Sequence, residues 1–148
     1  MDVTDLQPLV LPTSKWHEWL AGRADALLDE ARDRLATLKD GTDRTAIDVL
    51  ELWNDADIAL QNADAIARLL SEVHPQAEVR TVAEQRAQDV DRLRTDRGLD
   101  RVLYEVLDRS DPAGLDEQAS RLRELALRDF RRSGVDQDDA TRTRLREL

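Results

Sequence analysis

The chain has 148 residues, enough for one domain with a real core. Hydrophobic residues make up 41% and charged residues 36%, with no cysteine, which excludes a disordered chain, a disulfide framework and a thiolate metal site. The net charge is −10, a field that repels phosphate and anionic lipid, so neither nucleic acid nor a membrane surface is an expected partner.

The charge is lopsided. Residues 1–73 hold 7 Lys/Arg against 15 Asp/Glu, and residues 74–148 hold 15 against 17. No apolar run approaches the roughly 20 residues that span a bilayer. The first residues, MDVTDLQPLVLPTSKW, are acidic and lack the basic start of a secretory signal. A soluble cytoplasmic protein is the expectation. Five Gly, four Pro, 3% aromatics and an abundance of Ala, Leu, Arg and Asp favour helices over strands.

In chain order, residues 1–12 carry two prolines and no period, and read as an extended lead-in. Thr13 or Ser14 is the expected cap of a first helix that ends at Lys39-Asp40-Gly41. Its inner face would be Trp16, Leu20, Ala24, Leu27, Ala31, Leu35 and Leu38, near a heptad seam but too short to distinguish a coiled coil from a bundle helix.

The stretch from Asp43 to Val73 organises the rest. It has no Gly and no Pro, and Ile47, Leu50, Trp53, Leu60, Ile66, Leu69, Leu70 and Val73 recur at helical steps. Val49, Leu52, Ile58 and several alanines widen the stripe, which predicts a helix touched on more than one side. Thr42 or Asp43 would cap it and His74-Pro75 would stop it.

Pro75 then suits the first turn of a third helix, Gln76 to about Arg97, with Val79, Val82, Ala83, Arg86, Val90 and Leu93 inward. Gly98 interrupts it, and Leu99 to Arg109 forms a short fourth helix through Val102, Leu103, Val106 and Leu107. Ser110-Asp111-Pro112-Ala113-Gly114 is a turn. Asp116 caps a fifth helix carrying Leu122, Leu125, Leu127 and Phe130, closed by Ser133-Gly134. Asp136 would cap a sixth, with Val135 as a staple and Leu145 and Leu148 on its apolar side. Stopping in mid-pattern at Leu148 is what a fragment of a longer chain would do.

Candidate chemistry is sparse. His17-Glu18-Trp19-Leu20-Ala21 is half of a zinc-peptidase motif, but Ala21 stands where the second histidine is needed. His74, at a helix end, is expected to meet terminal carbonyls rather than to catalyse. No Ser/His/Asp set and no glycine-rich phosphate loop can be assembled. Arg121, Arg123, Arg128, Arg131 and Arg132 form the basic cluster, diluted by Glu117, Glu124 and Asp129. It reads as a solvated face with intrahelical ion pairs, with docking to an acidic neighbouring surface as the functional alternative. Trp53 is expected in the core, and Trp16 and Trp19 cannot both point to the centre.

Three runs carry a resemblance. Leu127-Arg128-Asp129-Phe130-Arg131-Arg132-Ser133-Gly134-Val135 resembles an LRDFRxSG segment of the thimet oligopeptidase family of zinc peptidases, which includes neurolysin, oligopeptidase A and bacterial dipeptidyl carboxypeptidases. His74-Pro75 with Val79-Arg80 is similar to that family's HP…VR step, and Leu103-Tyr104 with Leu107 to its LY..L helix. Order and spacing agree across residues 74–148; the match is looser over 43–73 and weak over 1–40.

The resemblance implies an all-α, neurolysin-like N-terminal helical domain of about six helices spanning residues 1–148. It would form part of the wall of a substrate channel that admits short peptides. It would dock onto a catalytic part whose HExxH helix and later glutamate hold the zinc. None of those ligands is in this chain, so no catalytic, cofactor-binding or metal-ligating residue is assigned and the chain alone is not expected to be an enzyme. The alternative is a free-standing helical interaction module, a homodimer through exposed apolar helix faces.

Overall fold

The computed structural model describes residues 10–147. Six α-helices follow one another: α1 (Trp16–Leu38), α2 (Ala46–Val73), α3 (Ala77–Gly98), α4 (Arg101–Arg109), α5 (Glu117–Ser133) and α6 (Asp139–Arg146). They pack as a bundle, and no strand occurs among the described residues. Of the expected lead-in, residues 1–9 lie outside the described residues, as does Leu148; residues 10–15 are not helical.

Helix number and order match the sequence reading, but several starts move, each for a local reason. Neither Thr13 nor Ser14 caps α1. The chain enters it through Lys15, left-handed at φ 55, with no side-chain cap, and the Lys15 ammonium lies 3.1 Å from Glu18 instead. α2 starts at Ala46, not after Thr42 or Asp43. Asp40 accepts the Thr42 N–H at 2.8 Å and both Arg44 amino groups at 2.8 Å, which holds residues 40–44 as a loop. Thr45 then forms a capping box, its hydroxyl accepting from the Asp48 N–H at 3.3 Å while Asp48 accepts the Thr45 N–H at 3.2 Å.

Pro75 sits ahead of α3, not in its first turn, because Gln76 is still extended at ψ 123. Asp100 delays α4 to Arg101 by accepting the N–H groups of Val102 and Leu103 at 3.0 and 3.2 Å. At α5 the expectation holds: Asp116 accepts the Ala119 N–H at 2.7 Å. Gly134 closes the helix at φ 94, where only glycine is unstrained, with Gly134 N–H to Arg131 O at 3.1 Å and Val135 N–H to Phe130 O at 3.2 Å. Val135 is thus occupied in ending α5, and α6 is capped by Asp138 rather than Asp136.

α1, α2 and α3 form the main contact set, and α2 also meets α4 and α5. α2 buries Val49, Leu50, Trp53, Leu60 and Leu70 between five alanines, 46, 56, 59, 63 and 67. A methyl group lets neighbouring backbones approach closely, and Ala59 and Ala63 share one buried cluster with Leu27, Leu28 and Ala31 of α1 and Val90 of α3. The same geometry corrects the predicted stripe. Ile47, Ile58, Leu69 and Val73 face outward, at 47, 39, 59 and 64% exposure. Val102 on α4 is likewise exposed, and Leu28 joins the α1 core, from which Trp16 is half withdrawn.

Candidate functional site

Both histidines come to rest at one end of the bundle. His74 ends α2, is 9% exposed, and its ring lies 5.0 Å from the Trp16 ring. Its Nδ1 accepts the Gln76 N–H at 3.2 Å, so the imidazole serves the entry to α3 and not the last carbonyls of α2. Pro75 explains the change: it holds His74 extended at ψ 132, which turns the chain forward into the next helix. The His74 and Pro75 carbonyls are taken by Arg80 Nη1 at 2.7 and 2.9 Å. His17 Nε2 stands 3.9 Å from Glu18 and 3.8 Å from Glu78. Among the described residues no three His, Asp or Glu side chains converge as metal ligands, so the residues present do not fit a zinc ion.

The arginine cluster does not form one surface. Arg123 reaches back to the end of α4, donating to Leu107 O at 3.1 Å, Asp108 O at 2.8 Å and the Ser110 hydroxyl at 3.2 Å. It thereby satisfies carbonyls that α4 leaves open. Arg131 lies 5.6 Å over the Tyr104 ring, donates to its hydroxyl at 3.1 Å, and stands 3.7 Å from Asp108. Arg121 pairs with Glu124 at 3.4 Å and Arg128 with Asp129 at 3.3 Å, both exposed. The intrahelical ion pairs were expected; the two long reaches to α4 were not.

Trp53 is in the core, 5.1 Å from the Phe130 ring, with the Arg97 guanidinium 4.6 Å over the Trp53 ring. Trp16 and Trp19 share the edge of the cluster around Leu20, Leu70 and Val79, edge to face at 5.8 Å, each half-buried.

A polar seam joins the long helices and escaped the sequence reading. Asp57 meets Arg97 at 2.8 Å, Asp64 meets Arg94 at 2.9 Å and Arg68 at 2.7 Å, and Arg68 continues to Asp91 at 2.9 Å. Asp25 and Arg86 close α1 on α3 at 2.9 Å. The visible signal was Asp57 and Asp64 seven residues apart with Arg94 and Arg97 three apart, one pair on each helix face. The Asp57–Arg97 and Asp64–Arg94 pairs are half-buried, and only Arg68–Asp91 is an exposed pair, worth at most about 1 kcal/mol. Their product is register between α2 and α3, not chemistry.

A cleft of ≈ 380 Å³ lies between the α1–α2 loop and α4, floored by Leu38, Val49 and Val106. On its charged rim Arg44 pairs with Asp40 at 2.8 Å and Arg109 with Glu105 at 2.9 Å, while Asp43 makes no ion pair among the described residues. The Arg44 guanidinium, and then the Thr42 N–H, hold the Asp40 carboxyl far below the usual carboxylate range, which leaves it unsuited to accept a proton near neutrality. No helix among the described residues is long and apolar enough to cross a membrane.

Compared with family models, with curated proteins and with solved structures, the chain finds no match. The geometry and the three sequence runs are therefore what bears on function.

Proposed function

We propose that this chain is the non-catalytic N-terminal helical portion of a thimet-oligopeptidase-like zinc metallopeptidase. In that role it forms part of the wall of a channel for short peptides and docks onto a catalytic part that supplies zinc and the general base. The observation that supports the reading is how the three resembling runs pack. Leu103 and Leu107 of the second run share one buried cluster with Leu127, Phe130 and Val135 of the third, and Tyr104 meets Phe130 edge to face at 5.8 Å. The first run is the joint between α2 and α3, where Arg80 holds the carbonyls of His74 and Pro75. Residues that recur for a shared fold are expected at such joints, and residues that recur for chemistry would converge on a ligand.

A second reading, a free-standing helical interaction module, draws on the apolar residues that α2 leaves exposed. The reading frame beyond Leu148 separates the two. The peptidase reading expects a downstream HExxH helix and a later glutamate; a stop codon directly after Leu148 would abandon it in favour of the module.

A further inference from the structure

The exposed loop between α1 and α2 holds one peptide bond that is open to chemical damage. Of the five glycines only Gly41 follows an aspartate or an asparagine. At an Asp-Gly step no Cβ on the second residue shields its backbone nitrogen, so that nitrogen can close onto the aspartate's own side chain. A Cβ built at Gly41 would meet nothing within 4 Å, so the surroundings do not crowd the bond either. What stands against the reaction is the set of partners that Asp40 has. Its Oδ1 accepts the Thr42 N–H at 2.8 Å and Arg44 Nη1 at 2.8 Å, and its Oδ2 accepts Arg44 Nη2 at 2.8 Å. Arg44 is itself fixed, with its side chain 16% exposed and Nη1 donating also to the Thr42 carbonyl at 3.2 Å. On the near side the Asp40 N–H bonds Thr37 O at 3.4 Å, at the end of α1.

We propose that the Asp40–Gly41 bond is a latent site of aspartate isomerisation, held shut by the Arg44 clasp. In the open reaction the Gly41 nitrogen attacks Cγ of the protonated Asp40 carboxyl. The N–Cγ bond forms, the Cγ–OH bond breaks, and the hydroxyl leaves with the amide hydrogen as water. Water then reopens the cyclic imide. Addition at one carbonyl restores aspartate, and addition at the other leaves the main chain running through Cβ, as isoaspartate. The clasp opposes both requirements of the attack. The carboxyl must swing onto the Gly41 nitrogen, which breaks its bonds to Thr42 and to both Arg44 amino groups. It must also be protonated, and a guanidinium partner favours the charged form. Arg44, and then the Thr42 N–H, hold the Asp40 carboxyl far below the usual carboxylate range. Isoaspartate inserts a methylene into the backbone just before the Thr45 capping box, so the clasp protects the join between α1 and α2. The inference concerns the chain by itself and holds under either reading of the whole protein.

Peptide mapping of the aged chain, with isoaspartate at residue 40 read by isoaspartyl methylation of the digest, tests this. The folded native chain should isomerise roughly tenfold or more slowly than the same chain in urea, because a carboxyl held below its ordinary range is protonated less often at neutral pH. Arg44→Ala, with its helical circular dichroism unchanged, should bring the folded rate up towards the urea rate. Arg44→Gln, which keeps a donor but not the charge, should fall between the two, and it decides the matter if the alanine variant does not fold. Reaction in heavy-oxygen water should label the product, as reopening of an imide requires. Gly41→Ala should silence the site even in urea. A folded native chain that isomerises as fast as the unfolded one overturns the proposal. So does a folded arginine variant that stays as slow as the native chain, an unlabelled product, or isoaspartate that arises chiefly at another residue.

Discussion

The two halves of the bundle are held together in different ways. α1, α2 and α3 are long, and their interior is leucine set against alanine: Leu27, Leu28, Ala31, Ala59, Leu60, Ala63 and Val90 form one cluster with no aromatic ring in it. α4, α5 and α6 are short, with fewer turns to share the cohesion. There a single Phe130 gathers Trp53 and Tyr104, and caps and arginine reaches fix the helix ends. Long helices can rely on many small close contacts, whereas short ones depend on a few large side chains and on how they terminate.

Truncating the aromatic should expose this contrast most strongly. Phe130→Ala is expected to cost about 3–5 kcal/mol. Amide exchange should quicken through α4–α6 while α1–α3 stay protected; uniform loss of protection would mean the halves are one cooperative unit. The corresponding insult to the long helices is to enlarge a buried alanine. Ala63, fully buried, changed to Leu should cost about 1–3 kcal/mol in urea unfolding, with the fastest exchange now in α1–α3.

Glycine substitutions should differ in sign between the halves. At Gly134 the φ is +94 and an added Cβ would stand 2.9 Å from Leu145 Cδ1, so Gly134→Ala should destabilise by about 1–2 kcal/mol. Gly22, inside α1, has open space around its Cβ position, and Gly22→Ala should stabilise by about 0.5–1 kcal/mol. Paired thermal melts check both.

The smallest expected effect is a pH dependence at the loop between α1 and α2. The Asp40 carboxyl is held below its ordinary value by Arg44 and the Thr42 N–H. A depressed acid stabilises the fold fully above the unfolded carboxyl value of about 3.9 and loses that contribution as pH falls toward the lower folded value. The stability gap between the native chain and Asp40→Asn should accordingly be full near neutral pH and close below about pH 4. A gap that is constant with pH would mean that the Asp40 contacts do not survive in solution.

Helix number, order and most inner positions were legible because apolar period and punctuation residues are local signals. The α5 ends were read correctly from Asp116 and Gly134, each of which acts within one turn. The starts of α2 and α6 were misplaced because rival caps stood close together in the chain, and that of α4 because the cap Asp100 was not singled out. Thr45 competes with Thr42 and Asp43, and the winner is decided by the Asp40–Arg44 clasp, a contact no window of residue types displays. Ile47, Ile58 and Leu69 were assigned inward because they are large and apolar. The alanines beside them were read as filler, although close helix approach is built on small residues. Arg123 and Arg131 looked like one basic face, and only the packing of α5 on α4 reveals that each bonds a separate target. The polar seam was not legible because Asp57, Asp64, Arg94 and Arg97 meet only once α2 packs on α3.

The proposal that the chain is a helical scaffold without a reaction centre is tested most directly by assaying it with zinc and a short internally quenched peptide. The expected rate equals that of zinc and peptide alone at every chain concentration. Cleavage that rises with chain concentration, is abolished by a chelator and returns with zinc would contradict it.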